Sequence, residues 1–261
     1  MSSLGDAWRP NGRVSPLARR ALLAGTAVVL LAAWAGRPRF LPGPVEVAAA
    51  FPDLVARGLF AQLYASLSTS LQALAITCLL TVPLAYLTVL PAVRPLVRVL
   101  SKLRFLGLTG FVVLFTIAFG GGHWLKVALL VFGMGAFLVT SLYEVVESIP
   151  RGEFDHARTL RLGPWGSVGE VVVLGRMDAV IDVVRQNAAM GWVMLTMVEG
   201  LVRFEGGLGA MMLTEDKHVR LDAVFAIQIV VLAVGVVQDG CLLLLRRTLC
   251  PFASISLERQ E

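Results

Sequence analysis

Glu153, Asp155, His156, Arg158 and Arg161 stand close together near the middle of the chain, with long apolar stretches on either side. Carboxylates and guanidinium groups so spaced offer charge-assisted hydrogen bonds to a partner surface. The segment that holds them, 147–169, is too polar for hydrocarbon, so it must project into water. Its local pattern predicts a short helix, a turn and a second helix. Ser148 or Pro150 opens the first helix, and Phe154, Ala157, Leu160 and Arg161 share one narrow face. Gly163 is expected to supply the left-handed residue that ends it, and Pro164 the first position of the next helix. With Ala157 small, a partner can approach closely. An ordinary solvated loop is the plainer alternative.

A second set of polar residues lies inside the apolar stretches. Ser66, Ser70, Thr77 and Thr81 follow at spacings of 4, 7 and 4 and fall on one helical stripe. Such a stripe either lets helices pack closely or lines a translocation route. Arg185, Trp192, Thr196 and Glu199 share another stripe, at spacings of 7, 4 and 3. Ionisable groups at membrane depth are costly and face a cavity or one another. Glu199, near the outer end of its span, can instead reach interfacial water. Asp178, Asp182 and Arg185, at i, i+4 and i+7, form a ladder able to satisfy itself at the inner end.

Other chemistries find little support. There is no G-x-x-x-x-G-K-[ST] cradle for a nucleotide, and Gly120, Gly121 and Gly122 read as a sharp turn before the interfacial anchor Trp124. His123, His156 and His218 sit on three different loops without a second ligand at i+3 or i+4, so no metal site is expected. The three cysteines imply no disulfide framework. No acid/base or metal groups converge on a catalytic constellation, and no soluble module supports nucleic-acid binding. The expectation is a non-enzymatic chain without a cofactor of its own.

The elements that must position these residues are membrane helices. Hydrophobic residues make up 57% of the 261 positions, and the mean hydropathy is +0.77, well above the roughly 45–50% apolar content of soluble domains. Windows long enough to span about 30 Å of hydrocarbon fall at 17–36, 62–90, 105–119, 124–143, 179–200 and 223–245. The third is short and is expected to begin near Leu96, with Arg98, Lys102 and Arg104 at the interface or facing protein. The sequence therefore predicts an all-α integral membrane protein of about six spans. Its polar segment lies between the fourth and fifth. A cytoplasmic N-terminus places 16 of the 23 Lys and Arg residues inside and 7 outside, so both termini and the polar loop are expected in the cytoplasm. The domain reading is a tail at 1–16, a membrane domain at 17–250 and a tail at 251–261. The first span also admits a signal-peptide reading, with Arg19 and Arg20 before an apolar run and an Ala33-Trp34-Ala35 cleavage pattern.

The order of five landmarks resembles the binding-protein-dependent permeases of ABC importers, of the nitrate/sulfonate/taurine type. The landmarks are Leu41-Pro42-Gly43-Pro44 with Val47, the Ser66/Ser70 helix, the polar loop, Glu199, and Gly207-Leu208-Gly209. The resemblance covers about residues 40–250. It implies a type I importer-like permease in the bacterial cytoplasmic membrane, working as two permease copies with a cytoplasmic ATPase that holds ATP-Mg and an extracytoplasmic solute-binding protein. It further implies that the loop is the ATPase-coupling segment, with Phe154, Asp155, His156, Ala157, Arg158 and Gly163 at the contact. The solute would be small, for example an anion such as nitrate, sulfonate, taurine or bicarbonate. Two departures stand out. The family's Glu-Ala-Ala reads Asp155-His156-Ala157, and its Leu-Pro reads Leu174-Gly175, which predicts a straighter start to the fifth span. A non-transporting scaffold or regulatory subunit derived from a permease is the rival reading.

Overall fold

The computed structural model describes residues 16–36 and 41–251. All but the innermost residue of each expected tail, Pro16 and Pro251, lies outside the described residues. Among these, the regular structure is entirely helical. The helices are α1 (Pro16–Ala35), α2 (Pro44–Ala56), α3 (Leu59–Tyr86), α4 (Arg94–Lys102), α5 (Leu108–Phe119), α6 (His123–Glu147), α7 (Arg151–Thr159), α8 (Pro164–Ser167), α9 (Met177–Leu201), α10 (Leu208–Lys217) and α11 (Leu221–Leu249).

The start of α2 follows from local chemistry. Pro44 takes the first helical position, where its missing N–H costs nothing, and the Glu46 carboxylate accepts the Gly43 N–H at 2.9 Å. Val47, Ala50 and Leu54 then form one buried face, which packs on α11. Gly58, at φ 90°, allows the turn that sends the chain into α3.

α6 is the hub. It packs along α3 on one side and α9 on the other, with α4 and α5 against its flank. Leu129, Leu130, Leu138 and Leu142 are buried on it. Small residues set the approach distances. Gly135 of α6 lies against the methyl groups of Thr77 and Thr81, whose hydroxyls bond back to the carbonyls of Ala73 and Thr77 at 2.7 and 2.8 Å. A Cβ on Gly191 of α9 would come within 2.9 Å of Met134 Cε. The α3 stripe therefore packs helices at Thr77 and Thr81, because hydroxyls satisfied within their own helix leave methyls to face a neighbour.

By length and composition, four helices among the described residues, α1, α3, α6 and α11, can cross a membrane, five if one bent pair is counted as a span. That pair is the third expected span: the α4 segment and α5 meet at 111°. The cause lies in composition. Residues 94–105 carry four basic side chains and cannot continue α5 into hydrocarbon, while α5 alone, at 12 residues, is only about 18 Å long. α9, at 25 residues, reaches about 37 Å but carries Asp178, Asp182, Arg185 and Glu199.

Candidate functional site

The polar loop folds as α7, a turn, and α8. Pro150, in extended conformation, precedes the first helix. Its stop differs from the sequence expectation: Arg161, at φ 59°, takes the left-handed position, while Gly163 is extended, at φ −65°. The Leu162 N–H reaches the Ala157 carbonyl at 3.3 Å and the Arg161 N–H reaches Arg158 at 2.9 Å, the paired bonds of a Schellman ending. Leu162 and Ala157 both line a groove beside this ending. Pro164 takes the first position of α8, as its φ preference dictates.

Ala157 is buried, so its small side chain lets α7 settle on its own chain. The charges of α7 face outward. Asp155 and Arg158 pair at 3.0 Å and both are exposed, and His156 is exposed beside them. Glu153 anchors the helix through a 2.6 Å bridge to Arg176 at the foot of α9. Phe154 and Arg158 divide two grooves. One, of about 440 Å³, is walled by Tyr86, Leu90, Leu162 and the exposed Trp165. The other, of about 680 Å³, is walled by Arg94, Tyr143, Glu147, Arg151 and Asp155.

Val168–Leu174 forms a wide, π-type turn, closed by the Gly175 N–H on the Glu170 carbonyl at 2.9 Å. A Cβ at position 175 would meet the Val171 carbonyl oxygen at 2.7 Å. Glycine is required there by close backbone approach.

At the opposite end lies a buried polar knot. The Glu199 carboxylate, 1% exposed, accepts the Ser66 hydroxyl at 2.7 Å and the Gly209 N–H at 2.8 Å. Ser66 Oγ in turn accepts the Leu208 N–H at 2.8 Å. Gln62 accepts the Gly207 N–H, and Lys126 donates to the Gly206 carbonyl at 2.6 Å. Glu199 thus faces hydrogen-bond partners in place of open water. Glu199 from α9, with Ser66 and Gln62 from α3, satisfies the free N–H groups at the start of α10.

The remaining polar residues of the span form a third group. Arg185 binds both oxygens of Asp239 on α11 at 3.0 and 3.1 Å and lies 3.6 Å from Asp182. Arg246 reaches Asp182 at 2.9 Å and Asp178 at 3.8 Å. The expected ladder on α9 is therefore completed from α11. Trp192 donates to Gln238 at 2.9 Å and Thr196 to the Val193 carbonyl at 2.9 Å. Ser70 is buried. The structure brings Ser66 and Glu199 together, but sends Arg185, Trp192 and Thr196 to separate partners. Sequence reading passed over Gln62, Lys126, Gln238, Asp239 and Arg246. The adjacent Gln238 and Asp239 in an otherwise apolar span were a usable signal, since such groups need internal partners.

These features define a polytopic chain, helical throughout the described residues, in which a short charged helix is tied to the foot of a long one. Among solved structures, the chain is similar to a chain of the MetNI methionine ABC transporter in inward-facing conformations. The TM-score is 0.61 at 12% identity, over 73% of this chain and 95% of that one. The sequence matches no family model and no curated protein. The likeness is one of fold.

Proposed function

We propose that this chain is the permease subunit of an ATP-driven importer, set in a bacterial cytoplasmic membrane with both termini in the cytoplasm. In this reading, the spans are α1, α3, the bent α4–α5 pair, α6, α9 and α11. A second copy completes the pathway, a separate ATPase binds ATP-Mg, and an extracytoplasmic binding protein delivers a small solute. The motifs favour the nitrate/sulfonate/taurine type and a small anion, and methionine, named for the structural neighbour, belongs in the same uptake panel.

The observation that carries the reading is the bracing of α7. A nine-residue helix in water would fray alone, yet a Schellman stop, the Glu153–Arg176 bridge and the buried Ala157 hold it against the foot of α9. A push on α7 would then move α9 as a rigid body, the kind of motion alternating access uses. Phe154, Asp155, His156 and Arg158 offer the contact, and Gly163 shapes its far edge.

The test is co-expression with the cognate ATPase. The isolated chain should hydrolyse no ATP. Asp155→Lys should insert normally yet lose both co-purification and uptake. Wild-type uptake and complex yield in that variant would overturn the reading and leave a scaffold role.

A further inference from the structure

α4 and the turn after it, Leu103–Phe105, carry Arg94, Arg98, Lys102 and Arg104 and no acidic residue. Arg94, Arg98 and Lys102 follow at i, i+4 and i+8, so they share one stripe, and all four basic residues are exposed. The helix is fixed rather than loose. Arg94 Nε donates to the Thr88 carbonyl at 3.0 Å, and Val97 is fully buried where α4 packs on α6.

A third face is apolar and uncovered in the chain: Leu96 is 53% exposed, Val99 61% and, in the turn that follows, Phe105 77%. The Arg104 guanidinium lies 5.2 Å from the Phe105 ring centroid, within cation–π range. Because this segment meets α5 at 111°, both cannot run along the membrane normal. α5 has no charged residue and is the one suited to hydrocarbon. α4 then lies across the interface, with its stripe of charge toward the headgroups.

From this arrangement we infer that α4 is a docking surface for anionic phospholipid, holding headgroup phosphates on Arg98, Lys102 and Arg104 while Leu96, Val99 and Phe105 enter the acyl layer. Lipid is chosen over a soluble phosphate because the exposed apolar face beside the charges requires hydrocarbon, which a free anion lacks. The inference goes beyond the permease reading and rests on it only for which leaflet is used. Each basic residue near an anionic surface contributes a factor of about five in binding.

The experiment is native mass spectrometry of the purified chain, taken from phosphatidylcholine nanodiscs with and without phosphatidylglycerol, with lipid titrations in neutral detergent. Wild type should retain phosphatidylglycerol over phosphatidylcholine, and more weakly as salt is raised. The triple variant R98Q/K102Q/R104Q should lose roughly tenfold or more in apparent affinity. R98K/R104K should keep most of it, which also reports that the fold is intact. R247Q, a control at the exposed inner end of α11, should change it little. Equal retention by the triple variant, an equal loss in R247Q, or binding of soluble glycerol phosphate as tight as lipid would overturn the proposal. Since both leaflets of a nanodisc are alike and no transport is measured, failure here leaves the permease reading standing, and failure of uptake leaves this one.

Discussion

Glu199 and Gly209 are ten residues apart, and the carboxylate of the first accepts the backbone N–H of the second at 2.8 Å. The end of α9 is thereby tied to the beginning of α10. Ser66 of α3 joins the same carboxylate at 2.7 Å, so three helices meet on one side chain.

Removing that carboxylate should loosen the knot. Glu199→Ala leaves the Ser66 hydroxyl and Gly209 N–H without a buried acceptor, at about 1–3 kcal/mol for each unsatisfied group. Glu199→Gln keeps one acceptor and should cost less. Gly207→Ala should also destabilise, because Gly207 sits at φ 109° with the Glu199 carboxylate where a Cβ would go. Thermal unfolding in detergent checks this, and an unchanged midpoint for Glu199→Ala would show that the knot contributes nothing.

The α2 and α10 end of the molecule carries an ion network open to pH. Arg220 bonds Asp53 at 2.7 Å, Arg57 bonds Asp53 and Glu215, and Arg220 also reaches Glu215 at 3.2 Å. The hydrogen bond from Arg220, then that from Arg57, hold the Asp53 carboxyl below the usual carboxylate range. A depressed folded value contributes stability that is present above the unfolded value, about 3.9, and lost as pH falls through the folded one. Acid unfolding curves below about pH 4 should therefore slope less for Asp53→Asn than for wild type. Superimposable curves would remove Asp53 from the account.

The end of α7 separates two positions that sequence reading confused. Arg161 already sits at a strained positive φ, so Arg161→Val, which adds β-branching, should destabilise the end of α7 further, whereas Arg161→Gly relieves the strain. Gly163→Val should be tolerated, since its backbone is extended and a Cβ there meets nothing within 4 Å. Complex yield with the proposed ATPase partner is the readout. The reverse ranking would place the left-handed residue at position 163 after all.

Orientation can be read by chemistry. In a background without Cys78, Cys241 and Cys250, external thiol reagents should label cysteines placed near Lys217 but not near Arg158. Labelling of the Arg158 region in intact cells would invert the topology.

Much of this protein was legible in the linear sequence because hydrophobicity is a local property. The assignment of 16 of the 23 basic residues to one side, the long apolar windows and the proline punctuation at Pro150 and Pro164 needed no partner to be read. Pro164 opens α8 because its ring fixes φ wherever it stands.

Other outcomes depended on what each group met in three dimensions. A glycine permits a left-handed residue but does not demand one, so the stop of α7 fell on Arg161, where two backbone bonds close on Arg158 and Ala157. The basic run at 94–105 bent the third span because α6 offered a seat for Val97 while the charges required an interface. Glu199, Arg185 and Trp192 share a stripe in sequence, yet α10, the Asp239 carboxylate and Gln238 claimed them separately. A buried polar group must be satisfied. The sequence determines which groups carry that need, and only the packed helices decide which neighbour meets it.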